Sequence, residues 1–173
     1  MERDELHWYV AYVLNCCERR AGEFFDSLGY ESYVPLRREV HRWSDRKKLV
    51  ERVLLPHLIF VRTDENGRRR SLSLNPYITA YMSSHAPGSG IPFEPAVVRD
   101  GEMELFRAMV DGGDVSFEPG TLTPGDRVVI TDGPFRGREC ELVSLGKAKC
   151  IVSRLGCLGA AVVEVPPGVI KKL

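Results

Sequence analysis

The sequence contains few cysteines, and they do not form a recognisable pattern. There are five, an odd number, among 173 residues, and no C-x-x-C pair occurs. Cys16 and Cys17 are adjacent, which disfavours a bond between them. This usage is typical of a reduced cytosolic chain and excludes a disulfide framework. No histidine lies near the three remaining cysteines in a spacing that suits zinc, so we predict no metal site at Cys140, Cys150 and Cys157.

Motifs for catalysis and nucleotide binding are also missing. The four histidines are scattered along the chain, and no serine or cysteine lies in a recognisable nucleophile motif. No G-x-x-x-x-G-K-[ST] run is present, which excludes a P-loop. We therefore predict that the protein is not an enzyme and that it needs no cofactor.

The sequence has no long apolar run and no net charge. No segment approaches the roughly 18 apolar residues of a membrane-spanning helix, and acidic residues at positions 2, 4 and 5 disfavour a signal peptide. We expect a cytoplasmic protein. The 24 basic residues balance 24 acidic ones, which disfavours a dedicated nucleic-acid binder. Residues 37–70, however, carry eleven Lys and Arg against five Asp and Glu. This basic block indicates either a local anionic contact or a solvated hairpin.

The first two thirds of the chain alternate between strand and helix patterns. Apolar and β-branched residues predict strands at 7–14, 30–40 and 49–62. Asn66-Gly67 is typical of a hairpin turn, and Asp100 is a candidate N-cap. Two apolar stripes with helical spacing consist of Ala21, Phe24, Phe25 and Leu28, and of Leu105, Phe106, Met109 and Val110. We predict an α+β domain over residues 6–112, with a mainly antiparallel sheet and flanking helices.

The last third contains only short strand patterns. A segment rich in proline, glycine and threonine precedes it, and we interpret residues 113–121 as an interdomain linker. Four or five short strands in residues 122–173 predict a small all-β barrel.

Two groups of motifs resemble the NusG family of transcription elongation factors. The run "PGDRVVITDGPFRGRECELVSL" resembles the KOW motif of an SH3-like barrel. In the first half, "WYV", "YVPL" and "LPHLIFV" resemble the family's NGN domain, and "WSDRKK" is similar to the specialised UpxY paralogs of capsular polysaccharide operons. The KOW resemblance is carried by Gly125, Asp126, Gly133, Pro134, Phe135 and Gly137.

The resemblance implies an antiterminator that binds RNA polymerase and suppresses pausing. An NGN domain docks on the clamp helices of the polymerase β′ subunit, and the matching residues are Tyr9, Leu55, Leu58 and Phe60. Alternation places Leu58 and Phe60 on one face of their strand, so both interface and ordinary sheet core remain open. His57 and Leu58 stand where the family usually has glycine and tyrosine. A Ser-containing contact to the polymerase gate loop would match Ser71 and Ser73.

The basic hairpin and the barrel loop complete the expected contacts. By resemblance, the hairpin faces non-template DNA or leader RNA through Arg42, Trp43, Arg46, Lys47 and Lys48. The alternative is a solvated hairpin with Trp43 folded against the sheet. The tip loop that binds the factor Rho and a ribosomal protein in relatives corresponds to Arg154, Leu155, Gly156 and Cys157.

The tip loop departs from the family's Ile-Phe-Gly-Arg pattern. Leu155 keeps an apolar side chain, but Cys157 replaces the arginine, so we predict that Rho binding is weak or absent. A ribosomal partner remains open, and we expect a monomer. The alternative function is a ribosome-associated RNA-binding protein of KOW type. Such a protein would be strongly basic, which disagrees with the balanced charge.

Overall fold

The computed structural model describes residues 5–42, 47–112, 114–118 and 122–173. The chain divides into two compact units, Met1–Asp100 and Gly101–Leu173. This division lies N-terminal to the predicted linker at 113–121, because the helix Asp100–Gly112 groups with the second unit. Within the described ranges, no helix is long and apolar enough to cross a membrane.

The first unit combines two helices with two antiparallel sheets. The main sheet has the order β2-β5-β1-β6, with β7 also paired to β1, and β3 and β4 form a separate two-stranded ribbon. The elements are β1 (His7–Val13), α1 (Glu18–Ser27), β2 (Glu31–Tyr33), β3 (Leu36–Arg42), β4 (Lys47–Val53), β5 (Leu58–Thr63), α2 (Glu65–Leu74), β6 (Ile78–Tyr81) and β7 (Val97–Val98).

One face of the main sheet packs with α1 in the core of this unit. The predicted helical stripe is confirmed, since Ala21 and Phe25 are completely buried while Phe24 and Leu28 are half-buried. Burial of an aromatic side chain such as Phe25 contributes about 2–3 kcal/mol. Gly29, the predicted C-terminal cap, has a φ of 79°, a conformation in which side chains other than glycine are strained. The core cluster comprises Tyr9, Ala11, Val13, Ala21, Phe25, Ile59, Val61, Ile78 and Tyr81.

The segment before β5 is fixed by an unusual histidine. His57 has a φ of 65°, in the left-handed region that favours glycine, which gives a physical reason for the glycine that relatives carry there. Its carbonyl oxygen accepts a hydrogen bond of 2.8 Å from the Val13 N–H. Its own N–H donates to a carboxylate oxygen of buried Glu18 at 2.9 Å. These two bonds hold the strained residue in place between β1 and α1.

The hairpin turn predicted at Asn66-Gly67 is wrong, because these residues lie in the first turn of α2. The carboxylate of Asp64 accepts a hydrogen bond of 2.6 Å from the Gly67 N–H and so caps the helix. Glu65 then pairs with Arg68 and Arg69, three and four residues further along the helix. Capping and ion pairing therefore outweigh the turn preference of the Asn-Gly dipeptide.

The second unit contains one helix and a six-stranded antiparallel sheet among its described residues. The strand order is β13-β9-β10-β11-β12-β8. The predicted strands of this region match β9 to β12, but β8 lies inside the segment predicted as linker and pairs with β12. The elements are α3 (Asp100–Gly112), β8 (Ser116–Glu118), β9 (Asp126–Ile130), β10 (Glu139–Leu145), β11 (Ala148–Arg154), β12 (Ala160–Glu164) and β13 (Ile170–Lys172).

The apolar residues of α3 are buried, and residues on the inner side of the sheet form a cluster of their own. The predicted helix stripe is confirmed, since all four of its residues are buried, and Met103 joins them. A second cluster comprises Val143, Cys150, Val152, Ala160 and Val162. Burial raises the pKa of the Cys140 thiol to about 11, which keeps it protonated and unreactive at neutral pH.

The turn between β9 and β10 has the geometry predicted from its glycines. Gly133 and Gly137 have φ values of 85° and 79°. The Gly137 N–H donates to the Ile130 carbonyl at 2.7 Å, and the Ile130 N–H donates to the Arg138 carbonyl at 3.1 Å. Phe135 is buried, as expected for a side chain that packs inward. The turn is therefore a closure of two strands and does not lead into a helix that would bind phosphate.

Gly125 is required by the close approach of two backbone segments. A Cβ atom at this position would collide with the carbonyl group of Leu142. The Gly125 N–H donates to a Glu141 carboxylate oxygen at 2.7 Å, which holds the segment against β10. Gly125 is therefore needed for this close backbone contact and not for a turn.

We expect Gly125→Ala to destabilise the second unit by about 2–3 kcal/mol, because the added methyl group meets backbone that cannot rotate away. Thermal and urea unfolding of the full chain measure the loss. Gly168→Ala is the matched control, since a Cβ there has no heavy atom within 4 Å. Equal melting temperatures for the two variants would show that the Gly125 segment moves freely.

Candidate polymerase and nucleic-acid interfaces

Three of the predicted nucleic-acid residues, Arg42, Lys47 and Lys48, lie at the outer end of the β3–β4 ribbon. Arg42 pairs with Lys47 and His41 with Lys48 in the last two register positions. Lys47 and Lys48 are exposed. Trp43 and Arg46 lie outside the described residues, so the predicted base-stacking contact is not tested. The ribbon thus presents at least two lysines to solvent at its outer end.

The base of the ribbon is tied to α1 through Glu51. Its carboxylate accepts hydrogen bonds from Arg19 of α1 at 2.7 Å and from Arg38 of β3 at 3.4 Å. Arg19, and to a smaller extent Arg38, lowers the pKa of Glu51. All three side chains are substantially solvated, so these pairs orient the ribbon and add little stability.

The predicted clamp-helix residues do not form one surface. Phe60 lies opposite Val10 and Leu58 opposite Tyr12, on one face of the main sheet, whereas Tyr9 lies opposite Val61 on the other face. Tyr9 therefore does not share a face with Leu58 and Phe60. Tyr9 and Phe60 are buried, with exposed fractions of 3% and 0%, as is Leu55 with 7%.

Leu58 is the half-buried member of the set, and its neighbour is an aromatic residue that sequence reasoning missed. Tyr12 lies directly opposite Leu58 in the β1–β5 register and is 41% exposed. The alternation in "WYVAYV" indicates the face of Tyr12, because every second side chain of a strand points to the same face. Tyr12 thus places an aromatic side chain beside Leu58. We call Tyr12 and Leu58 the apolar patch.

Ser71 cannot reach a partner as the chain is folded here. It is completely buried and shares a hydrogen bond of 2.6 Å with the hydroxyl group of Tyr81. Its own hydroxyl also reaches the Arg68 carbonyl at 2.9 Å. The predicted gate-loop contact at Ser71 is therefore corrected to a core hydrogen bond. Ser73, two residues further along α2, is exposed.

The buried Arg68 of α2 lies among three aromatic rings. Its guanidinium group lies 5.8 Å from the ring centre of Tyr9, 5.4 Å from that of Tyr81 and 5.2 Å from that of Phe93. Two hydrogen bonds of 2.7 and 2.6 Å join it to the Glu65 carboxylate. A buried cation needs such a partner, because the aromatic faces alone do not replace its hydration. Burial also raises the pKa of Tyr81 to about 12.

We expect Glu65→Gln to lower stability at neutral pH, with a difference from the natural chain that disappears in acid. The hydrogen bonds from Arg68 lower the Glu65 pKa from 4.5 to about 2. A depressed pKa stabilises the fold above the unfolded value, and this contribution is lost as pH falls from 4.5 towards 2. Urea unfolding at several pH values measures it. A constant difference across this range would contradict the assignment.

Arg154 and Leu155 of the tip loop make contacts within the second unit. The Arg154 guanidinium donates two hydrogen bonds to the Glu141 carboxylate, at 2.7 and 2.6 Å, and a third to the Leu122 carbonyl at 3.1 Å. The Arg154 N–H donates to the Glu102 carboxylate of α3 at 2.7 Å. Leu155 is only 1% exposed, so the expectation of an accessible apolar side chain is wrong. Gly156 and Cys157 are the exposed residues of this loop.

The described residues contain no group of three or more side chains suited to holding a metal ion. The accessible features are instead a basic ribbon and an apolar patch, both on an α+β scaffold. Surfaces of these two kinds are typical of a protein that binds macromolecules.

The chain belongs to the NusG family, because the family model for NusG, "Transcription termination factor nusG", matches residues 6–107. It is thus a transcription factor of the NusG type. A likeness to NusG of Thermotoga maritima, solved as "Domain interaction in Thermotoga maritima NusG", has 16% identity and a TM-score of 0.47 and covers 98% of both chains.

A second likeness is to the MjSpt4:Spt5 complex. In its conformation A the identity is 11% and the TM-score 0.30, over 96% of this chain and 97% of that one. In conformation B they are 12% and 0.31, over 96% of each chain. No match was found among curated proteins.

Proposed function

We propose that the protein is an elongation factor that binds RNA polymerase through its first unit and suppresses pausing or termination. Its target is a specific operon, such as one for capsular polysaccharide synthesis, as in the specialised paralogs that "WSDRKK" resembles. The observation that carries this proposal is the family match over residues 6–107, which contains every element from β1 to β7. The protein acts in the cytoplasm as a monomer, without catalysis and without a cofactor.

The roles proposed for the two domains follow from the resemblance. Residues 6–112 act as an NGN domain and residues 122–173 as a KOW domain, joined at 113–121. The run of four consecutive antiparallel strands from β9 to β12, and the positive φ values of Gly133 and Gly137, support a KOW domain. The segment 116–118 adds a strand to that sheet.

The apolar patch is the proposed contact with the β′ clamp helices of the polymerase. Tyr12 supplies an aromatic side chain of the type that dominates interface energies, and Leu58 supplies aliphatic area beside it. Phe60 and Leu55 support the patch from within the protein, since both are buried. Ser73 is the residue of α2 that remains available for the gate loop.

We expect the double substitution Tyr12→Ala and Leu58→Ala to weaken binding to core RNA polymerase by about tenfold or more, because truncating interface anchors typically costs over 1 kcal/mol. Titration of fluorescently labelled protein with polymerase measures the affinity. Leu173→Ala is the control, since Leu173 is an exposed aliphatic residue of the second unit, whereas the proposed contact lies in the first. Equal losses for both variants would remove the apolar patch from the interface.

The function itself is tested by a transcription assay with purified polymerase and the leader template of the operon that contains the gene. The expected result is shorter pausing and more read-through when the protein is added. Unchanged pausing, together with co-purification of ribosomal particles instead of polymerase subunits, would favour the alternative, a ribosome-associated RNA-binding protein.

We expect the purified protein to leave Rho-dependent termination unchanged. Arg154 is held by Glu141, Leu155 is buried, and Cys157 stands in place of the family's arginine. Few side chains of the tip loop are therefore available to bind Rho. A run-off assay with Rho, in the presence and absence of the protein, measures the effect. Strong stimulation of termination would contradict this proposal.

The ribbon tip is the proposed nucleic-acid contact, with non-template DNA or leader RNA as the partner. The exposed Lys47 and Lys48, together with Arg42, would neutralise phosphates and give binding a strong dependence on salt.

A further inference from the structure

The β3–β4 ribbon stands apart from the rest of its unit. Within the described residues its two strands pair only with each other, over seven register positions from Leu36–Val53 to Arg42–Lys47. The two strands together carry six Lys and Arg against two Glu. A ribbon of seven residues is roughly 20 Å long at the usual rise per residue. It is therefore a projecting cationic element whose faces are both open to solvent along most of its length.

One face of the ribbon carries an exposed aliphatic pair. Val40 and Leu49 lie directly opposite each other and are 62% and 58% exposed. Because facing residues share a side and alternate along the strands, this face also carries Lys47, two positions from Leu49 towards the tip. Two positions towards the base it carries Arg38 and its partner Glu51. Apolar side chains at the middle of a solvated cationic ribbon have no role in the core of the unit.

We propose that this face lies in the major groove of duplex DNA, with Val40 and Leu49 against the C5-methyl groups of thymines. The inference rests on the nucleic-acid contact of the proposed function and names its partner and its orientation. The major groove is about 12 Å wide and admits a two-stranded ribbon, and the thymine methyl is the apolar group that base edges present there. The flanking cations would then contact phosphates on either side.

Charge favours DNA over a protein as the occupant. The two strands carry six Lys and Arg against two Glu, and on this face Lys47 and Arg38 lie on opposite sides of the aliphatic pair. Cations in these places suit the phosphates that border the base edges of a groove. Arg38 retains donors for such a contact, since its side chain is 73% exposed and only its Nε reaches Glu51, at 3.4 Å. The methyl groups further favour DNA over RNA, in which uracil lacks them.

The opposite face of the ribbon provides an internal control. Val50 is also exposed, but it lies directly opposite Glu39, whereas Glu51 of the first face lies opposite Arg38 and not opposite an aliphatic side chain. A change at Val50 removes the same kind of side chain from the same strand as a change at Leu49. The two substitutions therefore separate a specific face from a general loss of apolar surface or of ribbon stability.

The test compares binding of the full chain, at low salt, to short duplexes that contain thymine and to the same duplexes with deoxyuridine in every thymine position. We expect the loss of each covered methyl group to weaken binding about fourfold, the equivalent of one buried methylene. Val40→Ser with Leu49→Ser should bind the thymine duplex as weakly as the natural chain binds the deoxyuridine duplex. The variant should no longer distinguish the two. Val50→Ser should behave as the natural chain does.

Three results would overturn the proposal: equal affinity of the natural chain for both duplexes, equal affinity for an RNA duplex of the same sequence, or equal effects of the Val50 and Val40/Leu49 changes. Weaker binding of the Val40/Leu49 variant to polymerase without DNA would instead make this face a protein contact. Circular dichroism and melting of each variant confirm folding. Discrimination of thymine without any binding to polymerase would refute the proposed function while leaving this inference intact.

Discussion

The register between β1 and β5 is the constraint on which the surfaces of the first unit depend. These are the two inner strands in the order β2-β5-β1-β6, and six residue pairs join them. The pairing sends Tyr9 and Val61 into the core with α1 and turns Tyr12 and Leu58 to the opposite face. A shift of one residue would exchange the two sets. The bonds of His57 to Val13 and Glu18 fix the register where β5 begins.

Sequence periodicity was sufficient for the elements that bury apolar side chains at regular spacing. The helices α1 and α3 and the strands β9 to β12 follow directly from such patterns, because burial of a stripe or an alternating face is what stabilises them. The errors lie where local preference and tertiary context compete. Asn66-Gly67 favours a turn in isolation, but the Asp64 cap and the pairs of Glu65 favour helix. β8 is short and is defined only by its partner β12.

The candidate site was predicted less completely, because exposure depends on neighbours that are distant in sequence. The neighbouring sequence does not distinguish Ser71 from Ser73. In the fold, however, Ser71 is buried and shares a hydrogen bond with the hydroxyl group of Tyr81. Leu155 was expected at the surface by analogy with a loop, but it is buried. The alternation in β1 is visible in the sequence, but the exposure of Tyr12 depends on its neighbours in the fold. The basic block of residues 37–70 is also visible, whereas its contact with nucleic acid is implied by the resemblance and stays a prediction.

Because the hydrogen-bond ladder of β3 and β4 does not continue into the main sheet, the ribbon is modular. At its base the Leu54 N–H donates to the Pro35 carbonyl at 2.8 Å, next to the last register pair, and the solvated pair of Glu51 with Arg19 links the ribbon to α1. Substitutions along its length therefore leave the buried core unaffected. Sequence changes can therefore accumulate in the ribbon without a change in the main sheet, because no strand pairing links the two among the described residues.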